Sequence, residues 1–251
     1  MELSLKGKGA IVTGSSKGIG RAIALGLAEE GVNVAICARK DGPLQKTAEE
    51  IRAHGVNVFA ETCDVSDAEA LDAWLEKAKE ALGSVSILVN NPSGFGISDD
   101  ENSWKAGFNV DVMATVRCTW KVVPWLEEAG EGAIIDISSI AGLGASTTPA
   151  YAAVKAALVS HSKSMALTLA PKGIRVNCIA PGSIEFPGGM WEMVKNANRK
   201  MYDGTLASIP FGRMGKPEEV ANAVVFLCSE RASWISGALV PVDAMQHKGL
   251  L

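Results

Sequence analysis

Several kinds of chemistry are hard to build from this chain, because it is poor in the residues they need. It has only three histidines, His54, His161 and His247, too far apart for any metal-ligand spacing, and no metal site is expected. Its cysteines are five, an odd number, scattered at 37, 63, 118, 178 and 228 without a Cys-x-x-Cys pair. Cys37 and Cys178 lie inside apolar runs, which argues for buried thiols and a reducing cytoplasm over a disulfide framework. No basic block exists and the net charge is −4, so no nucleic-acid partner is expected. No apolar run approaches the ~18 residues that span a bilayer, and the opening "MELSLKGKGA" has no apolar signal core. Tyrosine is scarcer still, with only Tyr151 and Tyr202. One of the two stands four residues before a lysine, in "YAAVK".

What is present is the material of one α/β domain. The 251 residues are 47% hydrophobic with 26 glycines, and can bury a sizeable core. Short apolar, β-branched runs at 9–13, 32–38, 56–62, 86–90, 132–138, 174–180 and 238–242 are predicted as strands. The strongest are apolar on both faces, as in a parallel sheet covered on each side. Stretches of helical period at 20–31, 67–83 and 151–173 lie between them, and repeated strand–helix units imply a doubly wound sheet. No linker or repeat divides the chain, so residues 1–251 are predicted as a single domain. The rhythm breaks at 183–209, too long for an ordinary connection and so either a lid or a disordered insertion. Phe186, Met190, Trp191, Met193 and Met201 suggest a lid at about 184–211 over an apolar pocket, with a hinge at 187–189.

The first strand leads through "TGSSKGIG" into the first helix, with glycines at 14, 18 and 20. Glycines there let the backbone approach a pyrophosphate held at the positive end of a helix. The second strand ends "ICARK", with Ala38 and Arg39 where an NAD enzyme of this architecture usually carries an acid for the ribose 2′-hydroxyl. Lys17 in the glycine turn adds a second cation. The pair suits a 2′-phosphate, which makes NADP(H) the expected cofactor.

Taken in order, "TGSSKGIG", "CDV" (63–65), "NN" (90–91), "ISSIAG" (137–142), "YAAVK", "RVNCIAPGSI" (175–184) and "FGRMGKPEEVANAVVFLCSE" resemble the short-chain dehydrogenase/reductase family over nearly the whole chain. The resemblance implies a single-domain Rossmann-type doubly wound parallel sheet of seven strands flanked by helices. It also implies a homotetramer and hydride transfer between a nicotinamide and an alcohol or carbonyl carbon. On this likeness Tyr151 is the proton donor in reduction, and Lys155 tunes it and binds the nicotinamide ribose. An unperturbed phenol ionises near about 10, and a neighbouring ammonium favours the phenolate. The family's serine falls on Ser139 by its motif. Ser139 stands 12 residues before Tyr151 where the family has about thirteen, whereas Ser138 has the usual spacing. Ser139 with a shortened loop is the favoured assignment.

The same likeness places cofactor contacts at Gly14, Ser16, Lys17, Gly18, Ile19, Gly20 and Arg39 around the turn. It places the adenine beside Asp64 and Val65, the adenine ribose over the segment starting Asn90 and Asn91, and the carboxamide at Pro181, Gly182 and Ile184. Three departures stand out. Pro92 and one extra residue interrupt the family's Asn-Asn-Ala-Gly, and Phe186 replaces a threonine that binds the nicotinamide amide. Asp111, seven residues after Trp104, stands where the family has the asparagine of its proton relay, and joins the catalytic set. The expected activity is that of an NADP(H)-dependent carbonyl reductase or alcohol dehydrogenase on a small, largely apolar molecule. The alternatives are a 3-oxoacyl-[acyl-carrier-protein] reductase, disfavoured by the acidic "LEEAGEG" before the fifth strand, and a non-catalytic NADP sensor.

Overall fold

Each run predicted as a strand becomes one in the computed structural model, which describes residues 2–249. The strands are β1 (Gly9–Thr13), β2 (Asn33–Ala38), β3 (Val58–Thr62), β4 (Ile87–Asn90), β5 (Gly132–Ile137), β6 (Ile174–Pro181) and β7 (Leu239–Val242). They form one parallel sheet in the order β3-β2-β1-β4-β5-β6-β7. Every residue of β1, β4 and β5 is buried, which is why their sequences are apolar without alternation.

Nine helices connect them among the described residues: α1 (Gly18–Glu29), α2 (Asp41–Arg52), α3 (Ala68–Leu82), α4 (Glu101–Ala106), α5 (Ala114–Glu128), α6 (Pro149–Leu169), α7 (Met190–Ala197), α8 (Arg199–Ser208) and α9 (Pro217–Cys228). Parallel neighbours need crossovers, and these helices supply the cover on both faces. Val12, Ile36, Val89 and Ile135 pack under Ile23 and Leu27 of α1 and Val224 of α9. Ile11, Leu88, Ile134 and Val176 pack on the opposite face against Trp74 of α3 and Val122 and Leu126 of α5. Each such fully buried aliphatic side chain contributes roughly 1.5–3 kcal/mol. Helix α3 shows how sequence sets its limits. Asp67 accepts from the Glu69 and Ala70 N–H groups at 3.0 and 3.1 Å, and Gly83 ends the helix at φ 72°.

The chain winds outward from β1 to β3 and then returns to lay β4 on the other side of β1. This reversal opens a crevice at the carboxyl ends of β1 and β4, the usual ligand position of such sheets. The long segment after β6 is ordered as α7 and α8, not a disordered insertion. It encloses its own cluster of Tyr202, Ile209 and Met214, with Trp191, Val194 and Leu206 packed against it. Two of the predicted pocket residues are corrected: Met193 and Met201 are 59% and 51% exposed. The inward face of α7 is Trp191 and Val194, and that of α8 is Tyr202 and Leu206, spacings of three and four that leave both methionines outside. A seven-residue π-helical stretch, Gly107–Met113, joins α4 to α5. No helix of the described residues is long and apolar enough to cross a membrane.

Candidate active site

The glycine turn leaves β1 with Gly14 at φ 68° and Gly18 at φ 57°, conformations that a Cβ would oppose. Gly20 is required for a different reason: a Cβ there would lie 2.4 Å from both Asn91 Nδ2 and the Gly14 carbonyl oxygen. Asn91 donates to the Thr13 and Gly14 carbonyls at 3.2 and 2.9 Å, so its amide shapes the turn itself. No side chain caps α1 at Lys17, and the amides of its first turn, Gly18 to Gly20, are left for an anion. Ser16 is half-buried, with its carbonyl accepting from Thr47 Oγ1 at 3.3 Å. The turn thus fits a dinucleotide pyrophosphate.

Just past the ends of β2 and β3, Arg39 and Asp64 are both exposed. The Ser66 hydroxyl and amide hold the Asp64 carboxyl below its ordinary range, and the Arg39 charge adds to this. Two of the expected cofactor residues turn their side chains inward here. Asn90 is 1% exposed and its Nδ2 donates to Asp136 Oδ1 at 2.8 Å inside the sheet, so burial turns its side chain away from the crevice and leaves its backbone to meet a ligand. Val65 is 7% exposed with its side chain in the core beside Trp74, which again leaves only the backbone. Asn90 is turned inward at the end of β4 and Val65 in the turn that follows β3, and a motif match carries no information on that direction.

Lys17 reaches across the crevice to the other rim, donating to the Gly188 carbonyl at 2.8 Å. The Phe186 ring lies over the same turn, close enough that a Cβ on Gly18 would be 2.4 Å from it. The segment after β6 therefore rests on the glycine turn. Pro181 ends β6, Gly182 N–H donates to the Val242 carbonyl at 3.0 Å, and buried Ile184 bridges to Gly215. Behind them Glu185 ties α7 and α8 together. It accepts from Tyr202 Oη at 2.6 Å and from Lys195 Nζ at 2.9 Å, and these bonds, the phenol's first, hold its carboxyl below the usual range. The second tyrosine thus ties α8 to Glu185, and Tyr151 stands alone as the crevice phenol.

Helix α6 starts at Pro149, whose missing N–H costs nothing at a helix start, and brings Tyr151 and Lys155 one turn apart. The Lys155 ammonium is 5.7 Å from the Tyr151 ring centroid. It is 2% exposed, donates to the Ile137 carbonyl at 3.0 Å and pairs with Asp111 Oδ1 at 2.8 Å. Burial pulls its pKa down, but Asp111 and the Tyr151 phenol outweigh burial, and the net shift is upward. Asp111, fully buried in the π-helical stretch, accepts from the Gly94 N–H at 2.8 Å through its other oxygen. The segment carrying Pro92 and the extra residue is thereby tied to Lys155, a connection that no sequence motif announced.

The two serines after β5 have different surroundings. Ser138 is 3% exposed and donates to the Lys155 carbonyl at 2.8 Å, which fixes α6 to the strand end. Ser139 is half-buried, with its hydroxyl accepting only from the Ala141 N–H at 3.1 Å. Its loop lies flush on α6, since a Cβ on Gly142 would be 2.7 Å from the Ala156 nitrogen. That glycine brings the loop of Ser139 against the helix of Tyr151 and Lys155.

A family model described as enoyl-(acyl carrier protein) reductase matches residues 14–244. The chain belongs to the short-chain dehydrogenase/reductase family. It is 34% identical over 253 residues to isoepoxydon dehydrogenase patN of Penicillium expansum, covering 98% of this chain and 96% of that one. It is 36% identical to the 3-oxoacyl-[acyl-carrier-protein] reductase FabG of Staphylococcus aureus, over 94% of this chain and 96% of the other. L-sorbose reductase of Gluconobacter frateurii, solved with NADPH and L-sorbose, superimposes with a TM-score of 0.92 at 36% identity, over the full length of both chains. This family member is an oxidoreductase, and the reading as a non-catalytic sensor is set aside.

Proposed function

We propose that this oxidoreductase uses NADP(H) to move a hydride between nicotinamide and the carbonyl or alcohol carbon of a small, largely apolar substrate. The observation that carries the proposal is the buried, charged Lys155 one helical turn from the half-buried Tyr151 phenol. In reduction Tyr151 protonates the carbonyl oxygen, and in oxidation its phenolate takes the alcohol proton. Ser139, whose hydroxyl still has a proton to give, hydrogen-bonds the same oxygen, while Ser138 is committed to α6. Lys155 holds positive charge beside the phenol, and Asp111 keeps the lysine charged and in place. The nicotinamide, when bound, supplies or takes the hydride.

Support for NADP(H) comes from Lys17 and Arg39, from the missing acid at the end of β2, and from the NADPH in the sorbose reductase structure. Half-buried Phe186, whose ring lies over the glycine turn, supports an apolar substrate. A second reading, reduction of a 3-oxoacyl group on a carrier protein, is favoured by the likeness to FabG. The acidic stretch 126–131 does not argue against it as strongly as its sequence implied. It leads into β5 at the strand's amino end, away from Ser139, and Lys172, Lys79 and Lys8 pair with Glu127, Glu128 and Glu131. A homotetramer in the cytoplasm is proposed from the family's habit and the five free, buried cysteines.

NADPH oxidation followed across ketones and a 3-oxoacyl thioester tests these readings. Tyr151→Phe should lower kcat at least ~10²-fold with cofactor affinity nearly intact, the scale of general acid–base catalysis. Activity within a few-fold of the parent would remove Tyr151 from the mechanism.

A further inference from the structure

The last strand runs into a short turn, 243–247, that none of these roles uses. Ala244 and Met245 both have positive φ, 52° and 65°, a left-handed conformation that residues with a Cβ hold only where their surroundings enforce it. Asp243 does the enforcing. Its carboxylate accepts from the Met245 and His247 N–H groups at 3.1 and 2.6 Å, and its carbonyl accepts from the Gln246 N–H at 3.1 Å. The turn aims the Gln246 side chain back at the exit of β6. Gln246 Oε1 accepts from the Ser183 N–H at 2.8 Å, and Nε2 donates to Ser183 Oγ at 2.9 Å. Ser183 is 7% exposed, so water has little access to replace either bond. The contact is close: a Cβ on Gly182 would lie 2.8 Å from both Gln246 Oε1 and Asp243 Cβ.

Two other parts of the site meet the same turn. Ala244 packs against the lid cluster that includes Trp191 and Leu206, and His247 Cε1 approaches Gly144 in the loop that follows Ser139. We propose that Gln246 is a positioning residue for the nicotinamide end of the cofactor, acting by fixing the backbone of Pro181–Ile184 through Ser183. This rests on the NADP(H) reading above. A glutamine in an exposed tail would need no strained turn behind it. Here two left-handed residues and a doubly accepting aspartate hold one amide against one buried serine.

The test compares ligands that do and do not reach the nicotinamide end. Gln246→Leu keeps the approximate size and removes both hydrogen bonds, while Gln246→Glu can accept from both the Ser183 amide and its hydroxyl. The purified variants are titrated with NADPH and with 2′,5′-ADP, which carries the phosphorylated adenosine and no nicotinamide. Gln246→Leu should weaken NADPH about tenfold and lower kcat, with 2′,5′-ADP unchanged and Gln246→Glu recovering most of the loss. Equal weakening of both ligands, or of neither, overturns the proposal. Should Gln246→Leu fail to fold, Ser183→Ala removes only the hydroxyl contact. It should weaken NADPH two- to three-fold (on the order of one neutral hydrogen bond) and 2′,5′-ADP not at all; any other ratio counts against Gln246. If the parent does not bind 2′,5′-ADP, the NADP(H) reading itself fails, and NADH against ADP-ribose then makes the same comparison for Gln246.

Discussion

Asp111 and Lys155 face each other at 2.8 Å with 0% and 3% of their side chains exposed, so neither charge can fall back on water if the other is lost. Removing one partner of such a pair costs about 3–5 kcal/mol. Asp111→Asn should therefore lower thermal stability, and its kinetic effect has a definite sign. The carboxylate partly cancels the positive charge that favours the Tyr151 phenolate, so the substitution should move the rise of kcat/KM for alcohol oxidation to lower pH. A profile that stays in place at unchanged activity would uncouple Asp111 from the catalytic pair. Stability follows the lysine. A cation whose pKa is raised on folding gives stability that is whole below its unfolded value of about 10.4, and that is lost as pH climbs through the higher folded value. The melting-temperature gap between parent and Asp111→Asn should stay level up to about pH 10 and narrow above it. At the other end of the crevice Lys17 and Arg39 make a separable prediction. Replacing both with alanine should weaken NADPH and spare NADH, each charge-assisted contact being worth ~1.5–3 kcal/mol. Equal losses for the two cofactors would refute their assignment to the 2′-phosphate. Lys17 adds a complication that only the structure reveals: its ammonium already donates to the Gly188 carbonyl, so a phosphate bound there would have to compete with the segment after β6 for it.

Helix α9 opens with Glu219 gripping the loop that pairs with Ile184. The carboxylate accepts from Arg213 through both oxygens, at 2.9 and 2.5 Å, and from the Lys216 N–H at 2.8 Å. Arg213 first and the Lys216 amide second push its pKa down to about 2. A depressed carboxyl gives stability present above the unfolded value of about 4.3 and lost as pH falls through the folded one. The stability difference between parent and Glu219→Gln should hold above about pH 4.3 and vanish toward pH 2, and it should be modest because the pair is largely exposed. A difference that grows in acid would contradict this. If α7 and α8 close as a lid, hydrogen exchange across 184–211 should slow when NADPH and substrate or product are both bound, and unchanged exchange would rule closure out. Strands were legible in the sequence because a sheet covered on both faces demands uninterrupted apolar runs such as "GAIVT" and "GAIIDI". Tyr151, Lys155 and the glycine turn were legible because their chemistry restricts residue type. The direction of each side chain was not: nothing local distinguishes Asn90, turned into the core, from Asn91, turned to the glycine turn. The π-helical stretch was hidden too, because one extra residue per turn leaves composition unchanged while rotating Asp111 onto the lysine.

The surface of the whole chain is 11722 Å², somewhat above the roughly 10,600 Å² typical of a monomer of this mass. Some exposed side chains are large and apolar. Trp120 on α5 is 66% exposed and Leu167 on α6 is 80% exposed, both in the helical layer that covers one face of the sheet. Single exposed hydrophobics are ordinary, but a tryptophan and a leucine on the outside of one layer suit burial against another copy. The same α6 carries Lys155 and Tyr151 about three and four turns from Leu167, so a neighbour packed on this helix would stiffen that pair. Light scattering should give the parent a mass four times its 26.2 kDa chain. Trp120→Glu with Leu167→Glu places two charges in that contact and should lower the mass, since an unpaired charge does not survive burial at an interface. Turnover should fall together with the mass on dilution, whereas Tyr151→Phe should lose turnover with its mass unchanged. A parent that scatters as a single 26.2 kDa chain at all concentrations would leave α5 and α6 facing water, and the assembly expectation would be withdrawn.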